Sequence, residues 1–377
     1  MDVADVAVGF GPEIPESHYV RARLLFDQGR LAEAVTEYER ATALRPHDYV
    51  LWMELGLARD QFNDTDGAIV AFKESVRLAP FYAQPRWQLG NTLYRAGRID
   101  EAFQELSRAA ASDPKLLPQT LDLAWAAFDG DAQAVERAIQ PATEPAHLAL
   151  ARYFARRGKT SEAIAQFRAA GDVSNEERRG LLTELLTARR FVEAYEVWSS
   201  YHREEVDQSS KGEAAIINGG FESTVSLNDP GFGWQLPTGL QAVEAAQDAA
   251  EPHGGALCLR LVWNGDSPTL STIISQLVLV EPNTRYQLRF AARTEKIVSA
   301  GLPQIAVIDA SSNDGRALAD ALRLPPATSG WQDYALEFTT TGETRAVQIT
   351  IRRENCSMSP CPIFGRAWLD DFSISKR

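Results

Sequence analysis

Prolines recur at a fixed interval in the first third of the chain. The interval between Pro46 and Pro80 is the same as that between Pro80 and Pro114. Three alanines keep this spacing, namely Ala34, Ala68 and Ala102. A period of about 20–50 residues is typical of stacked structural repeats, because one unit buries its apolar face only against its neighbours. The interval therefore predicts an array of helix–turn–helix units.

The second unit shows the pattern most completely. It contains, in order, Trp52, Leu55, Gly56, Ala68, Phe72 and Pro80. Small residues fit where two helices cross closely, the aromatic residue four positions after the alanine fills the next layer, and proline ends the second helix. This motif resembles the tetratricopeptide repeat family. The resemblance implies an all-α helical solenoid whose first helices line a groove that binds a protein.

Later units continue the series less regularly. Ala134, Ala163 and Ala194 follow at intervals that are unequal and slightly shorter than the earlier one. The fourth unit is short, with Gly130 and Asp131 at its turn. We predict about five to six helical hairpins over residues 15–203.

The resemblance also predicts which side chains line the peptide groove. They are Tyr19, Arg23, Phe26, Met53, Leu57, Trp87, Asn91, Tyr94 and Arg95. Exposed aromatic and Met side chains are typical of peptide-binding surfaces, although any one of these residues can instead pack between helices. Some members of the family clamp a partner's terminal carboxylate with Asn, Lys and Arg. Because Glu54, Gln84 and Gln88 occupy those positions here, that mode is not expected.

The composition changes near residue 210, from Ala, Leu, Glu and Arg to Thr, Val, Ile and Gly. The polar segment around Glu204 to Gly212 predicts a linker at 204–213, followed by a β-sandwich over 214–377. Apolar and polar residues alternate in runs such as 286–290 and 347–352, which is typical of half-buried strands. Eight to ten short strands predict two packed sheets.

In this second half, the order in which the motifs occur is more specific for one fold than any single motif is. The motifs are Ile217–Glu222, Gly233–Trp234, Val280–Tyr286, Gly330–Phe338 and Trp368–Ile374. This order resembles the jelly-roll carbohydrate-binding modules and their galactose-binding-domain-like relatives. The resemblance implies an all-β jelly-roll sandwich, so the fold class is multidomain, with an all-α solenoid followed by this sandwich.

The same resemblance implies one structural calcium ion. Its ligands here would be Glu222 and either Asp370 or Asp371, and carboxylates suit this hard cation. The alternative is that these residues are solvated charges. Neighbours on a strand point to opposite faces, so Asp370 and Asp371 are not expected to work as a glycosidase acid/base pair.

A glycan or other ligand is expected on one open sheet face of the sandwich. The predicted set is Trp263, Arg260, Arg289, Gln348 and Arg352. Trp263 precedes a polar turn, which favours an exposed ring that stacks on a sugar. Trp234 and Trp331 each follow a glycine at positions where the family uses tryptophan in the core. The alternative for the arginines is simple solvation.

Three cysteines limit the redox chemistry of the chain. Cys356 and Cys361 enclose four residues, and prolines bracket the second thiol, which favours a disulfide loop on an exposed turn. Cys258 alternates with leucines on a predicted strand and needs no partner. A disulfide implies an oxidising, periplasmic or otherwise extracytoplasmic location. The alternative is a pair of free thiols in a cytoplasmic protein.

Several functional classes are disfavoured by the sequence. The formal net charge of −13 argues against general binding of nucleic acid or of anionic membranes. We find no apolar run long enough for a membrane span, no secretory signal at the start of this sequence, and no histidine pair, nucleophile elbow or phosphate-binding loop. No catalytic residue is predicted, and the chain is not expected to be an enzyme.

These expectations favour a non-enzymatic adaptor. Its helical groove would bind a protein, and its sandwich would bind a glycan or a second protein, with bacterial polysaccharide assembly or export as the setting. One alternative is a purely structural assembly scaffold that binds no sugar. Another is an atypical glycan-processing enzyme.

Overall fold

A computed structural model describes residues 2–171, 173–202, 215–225, 230–237, 242–265, 267–269, 272–356 and 360–377. The predicted linker at 204–213 lies outside these ranges. The chain forms two compact units, Met1–Asp172 and Val173–Arg377. The second unit therefore begins well before the predicted linker.

The first unit is a stack of helices. After α1, its helices pair in sequence order as the hairpins α2/α3, α4/α5, α6/α7, α8/α9 and α10/α11. Their bounds are α1 (Asp2–Phe10), α2 (Pro15–Asp27), α3 (Leu31–Leu44), α4 (Tyr49–Gln61), α5 (Thr65–Leu78), α6 (Ala83–Arg95), α7 (Ile99–Ser112), α8 (Leu117–Ala127), α9 (Ala132–Ile139), α10 (Glu144–Arg156) and α11 (Thr160–Ala170). Among the described residues, no helix is both long and apolar enough to cross a membrane.

Small residues set the distance between helices, as the repeat pattern predicts. A Cβ added at Gly56 would lie 2.5 Å from the Phe72 ring, and one at Gly90 would lie 2.6 Å from Leu106. These glycines therefore let the two helices of a hairpin approach closely. At the start of α4, the Asp48 side chain accepts a hydrogen bond from the Val50 N–H, a donor that has no partner within the helix.

A sixth hairpin belongs to the second unit. It consists of α12 (Asn175–Thr187), opened by a capping box between Ser174 and Glu177, and α13 (Phe191–Ser199). Trp198 of α13 is 1% exposed and its ring lies 5.8 Å from that of Phe232. This aromatic contact joins α13 to the segment that leads into the sheets. It explains why the second unit begins before α12.

The rest of the second unit is a two-sheet antiparallel sandwich, which confirms the predicted fold class. One sheet has the strand order β1-β2-β9-β4-β7, and the other has the order β3-β8-β5-β6. The strands are β1 (Val243–Asp248), β2 (Cys258–Gly265), β3 (Thr272–Leu279), β4 (Arg285–Val298), β5 (Pro303–Asp309), β6 (Leu322–Arg323), β7 (Gln332–Thr339), β8 (Ala346–Arg353) and β9 (Ile363–Lys376).

Apolar side chains from both sheets form one core. It includes Phe221 and Trp234 from the segment before β1, and Trp263, Leu288 and Ile349 from the strands. Trp234 stacks on Phe221 with ring centroids 5.2 Å apart, so its predicted place in the core is observed. The long strands β4 and β9 pair along most of their length and bring the end of the chain to the middle of the larger sheet.

Candidate functional site

The first helices of the hairpins form one face of the first unit. We call this surface the first-helix face and define it by α2, α4, α6, α8 and α10. Helix α4 contacts α6 directly, and α8 contacts α10. In a stack of this kind the surface runs across successive repeats, which suits an extended ligand.

The predicted groove residues lie on α2, α4 and α6 of this face. Arg23 and Arg95 are exposed, and most of the others are half-buried, namely Tyr19, Phe26, Leu57, Trp87, Asn91 and Tyr94. Met53 is different, because it is 8% exposed and packs in an apolar cluster with Ile69, Phe72 and Leu89. The assignment of Met53 to an open groove is therefore corrected, since its side chain fills the space between neighbouring helices.

Two arginines of the predicted groove, Arg23 on α2 and Arg95 on α6, each contact a neighbouring side chain. The Arg23 guanidinium lies 6.0 Å from the centre of the Tyr19 ring. Arg95 donates a hydrogen bond of 2.5 Å to the Asp60 carboxylate. Between them, burial raises the pKa of Glu54 on α4, while the nearby Arg23 opposes that rise. The face therefore presents aromatic rings bordered by charges of both signs.

Three carboxylates meet at one turn of the sandwich, which we call the acidic turn. It consists of Glu222, Gly254, Gly255, Asp370 and Asp371. A Cβ at Gly254 would lie 2.6 Å from Asp371, and one at Gly255 would overlap the Glu222 carboxylate. Gly255 also has φ +55°, a conformation that favours glycine. The two glycines thus leave the space that the carboxylates occupy.

A β-bulge brings the two adjacent aspartates together. Ala291 pairs with Asp370 but Arg289 pairs with Ser373, so β9 contains one extra residue at this point, and Asp371 has φ +52°. A Cβ at Gly220 would lie 3.7 Å from an oxygen of each aspartate. The expectation that the aspartates point to opposite faces is therefore wrong, because strand alternation stops at the bulge.

Backbone N–H groups already bind the most buried of these carboxylates. Asp370 is 0% exposed and accepts hydrogen bonds from the N–H groups of His253, Gly254 and Asp371. Burial raises the pKa of Asp370, and these donors oppose the rise. His253 Nδ1 lies 2.6 Å from Asp371 Oδ2, and this hydrogen bond raises the pKa of His253. Local hydrogen-bond donors therefore already stabilise Asp370 and Asp371.

The acidic turn offers only some of its carboxylate oxygens to a cation, because the others already accept hydrogen bonds. Glu222 accepts the Ala256 and Leu257 N–H groups through Oε1, and Asp371 uses Oδ2 with His253. The second oxygen of each carboxylate is the donor that a calcium ion would use, together with backbone carbonyls. Within the described ranges, no group of three or more His, Cys, Asp or Glu side chains is arranged to hold a metal ion. The side chains that would offer an oxygen to a calcium ion are therefore those of Glu222 and Asp371.

The predicted ligand face of the sandwich does not exist as one surface. Trp263 is 2% exposed and belongs to the core, because its alternation with Leu259 and Leu261 places it on the inner side of β2. Arg260 and Arg289 lie in the larger sheet. Gln348 and Arg352 lie on β8 of the smaller sheet, so the four polar residues are divided between two sheets. The sequence pattern predicts strands but not which sheet each one joins.

A cation–aromatic cluster that the sequence analysis missed lies on the outer side of the larger sheet. The Arg293 guanidinium is 4.2 Å from the Trp368 ring centre and 5.4 Å from that of Trp331. Trp331 is half-buried and donates its indole N–H to the Glu251 carbonyl, so its assignment to the core is wrong. Arg289 and Arg293 are four positions apart in β4, so strand alternation places both on the outer side of the sheet. This spacing is the sequence signal for the face.

The structure contains the Cys356–Cys361 disulfide, with Cα atoms 6.3 Å apart. Cys258 is free and buried, and burial raises its pKa to about 11. Arg353 is 0% exposed and donates hydrogen bonds of 2.9 Å to the Cys361 carbonyl and the Ser299 hydroxyl. The disulfide loop is therefore fixed at its second cysteine to the end of β8.

Comparisons with known proteins agree with the repeat assignment. Residues 19–83 and 53–116 match the tetratricopeptide repeat family. A BBSome complex member, bbs-4 of Caenorhabditis elegans, is 31% identical over an alignment of 109 residues, and the match covers 26% of this chain. The chain spans only 23% of the length of that relative.

Two solved structures each align with part of the chain. The first tetratricopeptide domain of Spaghetti (RPAP3), bound to an HSP90 peptide, is 17% identical, covers 30% of this chain and 93% of its own, and has a TM-score of 0.29. A CBM4 structure is 15% identical, covers 43% of this chain and 99% of its own, and has a TM-score of 0.32.

Proposed function

We propose that this chain is a non-enzymatic adaptor that binds a protein through its first-helix face. The observation that carries the proposal is the set of partly exposed aromatic side chains on first helices, Tyr19 on α2 and Trp87 and Tyr94 on α6, within repeats that match the tetratricopeptide family. Repeats of this family are protein-interaction modules. Aromatic side chains on a rigid scaffold supply large contact areas at low entropic cost.

The test uses the full chain as bait in extracts of its native host. A variant with Tyr19, Trp87 and Tyr94 replaced by Ala should lose its captured partner, identified by mass spectrometry, while its helical content is retained. The matched control is Phe81→Ala, because Phe81 is 87% exposed and precedes α6 rather than lying on the first-helix face. Equal capture by wild type and triple variant would refute the proposal.

We extend the proposal to the sandwich, which would bind a glycan or a second protein on the outer side of its larger sheet. The half-buried Trp331 ring beside Arg293 supports this part, since indole rings stack on sugars and guanidinium groups donate to hydroxyl or carboxylate oxygens. A glycan array probed with wild type and with Trp331→Ala tests it. If neither protein binds any sugar, the assembly scaffold is the better description of this unit.

We also propose one calcium ion at the acidic turn, held by Glu222 and Asp371. The proposal rests on their oxygen donors and on the jelly-roll resemblance. When bound, the ion would neutralise neighbouring carboxylates and join the segment before β1 to β9.

An extracytoplasmic setting, with a role in bacterial polysaccharide assembly or export, completes the proposal. The Cys356–Cys361 disulfide supports an oxidising compartment. Alkylation of the native host's cells before lysis tests this setting. Protection of both cysteines supports it, and labelling of both would refute it.

A further inference from the structure

Arg353, the last residue of β8, is fully buried and joins three loops at one end of the sandwich. Its guanidinium donates hydrogen bonds to the Ser267 carbonyl after β2, to the Gly301 carbonyl between β4 and β5, and to the Cys361 carbonyl before β9. The Ser299 hydroxyl accepts a further bond of 2.9 Å. Three of these four acceptors lie outside the disulfide loop, so the position of the guanidinium does not depend on the disulfide bond.

The same guanidinium contacts one sulfur of the Cys356–Cys361 disulfide. Arg353 Nη2 donates a hydrogen bond of 2.9 Å to Cys361 Sγ. The sulfur of Cys356 accepts no hydrogen bond from any residue in the described part of the chain, and it lies 3.0 Å from the position of a Cβ added to Gly301. The two sulfurs of the disulfide are therefore chemically different.

This difference determines which sulfur is the better leaving group. A disulfide is cleaved when a thiolate attacks one sulfur and the other leaves as a thiolate, and cleavage is faster when the leaving thiolate is more stable. A charged N–H donor stabilises a thiolate. Because Arg353 is buried, water and salt screen its hydrogen bond to the sulfur only weakly. Cleavage that leaves the negative charge on Cys361 is therefore favoured over cleavage that leaves it on Cys356.

We propose that the Cys356–Cys361 disulfide is a site of thiol–disulfide exchange with a dithiol reductant, in which Cys356 is attacked and Cys361 leaves as a thiolate bound by Arg353. Both cysteines are half-buried, so part of each residue is accessible from solvent. The proposal is independent of what the first-helix face or the sandwich binds.

The exchange has two steps. A thiolate of the reductant attacks Cys356 Sγ, the sulfur–sulfur bond breaks, and its electron pair leaves with Cys361; the proton of that attacking thiol stays in solution. The second thiol of the reductant then loses its proton and attacks the reductant's own sulfur in the mixed disulfide. Cys356 leaves as a thiolate and takes up that proton. The reductant becomes a disulfide, and the protein gains two electrons and one proton.

Reduction should leave the sandwich folded, because the bonds from Arg353 to Ser267, Ser299 and Gly301 do not involve the disulfide. The first test therefore uses the reduced full chain. Iodoacetamide is added at a series of pH values, with at most one thiol reacting per molecule, and fragment ions distinguish the two cysteines. We expect Cys361 to reach half of its maximal alkylation rate at a pH at least about one unit lower than Cys356 does.

A second measurement identifies the sulfur that is attacked. The oxidised full chain is incubated with glutathione, a monothiol that forms the mixed disulfide but has no second thiol to resolve it, and the reaction is quenched with acid. Mass spectrometry should find glutathione on Cys356 at least about tenfold more often than on Cys361, because the sulfur bonded to Arg353 is the one that leaves.

Variants test the role of the guanidinium. Arg353→Lys keeps the charge but loses the planar fork, so it should raise the half-maximal pH of Cys361 by at least about half a unit and slow reduction by dithiothreitol at least about threefold. The matched control is Arg352→Lys, because neighbours on a strand point to opposite faces, and it should leave the reduction rate within about twofold. Circular dichroism melts verify that each variant is folded. Should Arg353→Lys fail to fold, Ser299→Ala removes one bond that orients the guanidinium and should shift Cys361 in the same direction.

Three results would overturn the proposal. They are equal half-maximal pH values for the two thiols in the wild type, glutathione found mainly on Cys361, and a folded Arg353→Lys variant whose Cys361 behaves as in the wild type. The wild-type measurements need no substitution, so they decide the question even if every variant is unstable.

Discussion

The indole of Trp198 lies against the backbone of Gly231, so closely that a Cβ added to the glycine would overlap the ring. This contact joins the last helix, α13, to the segment that enters the sandwich. It places the final hairpin in the same compact unit as the β-sheets. The two types of architecture in this chain therefore meet inside one unit rather than at a boundary between two.

Gly231→Ala should destabilise that unit by about 1–3 kcal/mol, because Gly231 has φ +141° and the new methyl group would overlap Trp198. Thermal unfolding followed by tryptophan fluorescence measures the effect. The matched control is Gly233→Ala, whose added Cβ would lie 3.9 Å from the same ring. Equal melting temperatures for the two variants would contradict the role assigned to this contact.

Calcium binding at the acidic turn predicts a change in melting temperature. Chelator should lower the melting temperature of the full chain by several degrees, and added calcium should restore it, because a ligand that binds only the folded state stabilises it. Glu222→Gln keeps an oxygen that accepts the Ala256 and Leu257 N–H groups but loses the charge, so it should weaken the response.

The control for this experiment is Asp320→Asn, an exposed carboxylate in the loop between β5 and β6. It should respond to chelator and calcium as the wild type does. A melting curve that neither reagent moves, with no metal found by elemental analysis, would show that the acidic turn is held by its backbone donors alone.

The carboxylate of Asp248 predicts a loss of stability in acid. Hydrogen bonds from the Trp368 indole and the Ala250 N–H lower its pKa below the ordinary value of 3.8. Because the folded-state pKa is the lower one, its stabilising contribution is complete above the unfolded-state pKa and disappears as pH falls through the folded-state pKa.

Asp248→Asn tests this pH dependence, since the amide oxygen still accepts hydrogen bonds but carries no charge. Urea unfolding should find the variant less stable than the wild type near pH 6, with a difference that shrinks below about pH 4. A difference that stays constant from pH 6 to pH 3 would show that ionisation of Asp248 does not stabilise the fold.

The disulfide should stabilise the sandwich modestly. Joining residues 356 and 361 closes a short loop, for which the chain-entropy model gives about 2 kcal/mol. The double variant Cys356→Ser, Cys361→Ser should therefore unfold at a lower temperature than the wild type, and reductant should affect only the wild type. If reductant lowered the melting temperature equally in both proteins, its effect would not come from the Cys356–Cys361 disulfide.

Cys258 provides an internal standard for that experiment. Because burial raises its pKa to about 11, iodoacetamide should label it at pH 8 only after unfolding. Rapid labelling of Cys258 in the native protein would contradict its place in the core.

Local patterns in the sequence determined the two architectures. The constant interval between Pro46, Pro80 and Pro114 specifies helical hairpins, since a repeat is a local unit that packs on its neighbours. Alternation of apolar and polar residues specifies strands because side chains on a strand point to opposite faces in turn. Both signals are contained within short stretches of chain.

Tertiary structure alone decided which residues meet. Strand pairing assigned Arg260 and Gln348 to different sheets, and an extra residue in β9 turned Asp370 and Asp371 toward the same turn. Packing between neighbouring helices buried Met53 in an apolar cluster with Phe72 and Leu89. These outcomes depend on contacts between residues far apart in the chain, and a local pattern does not encode which distant element becomes the partner.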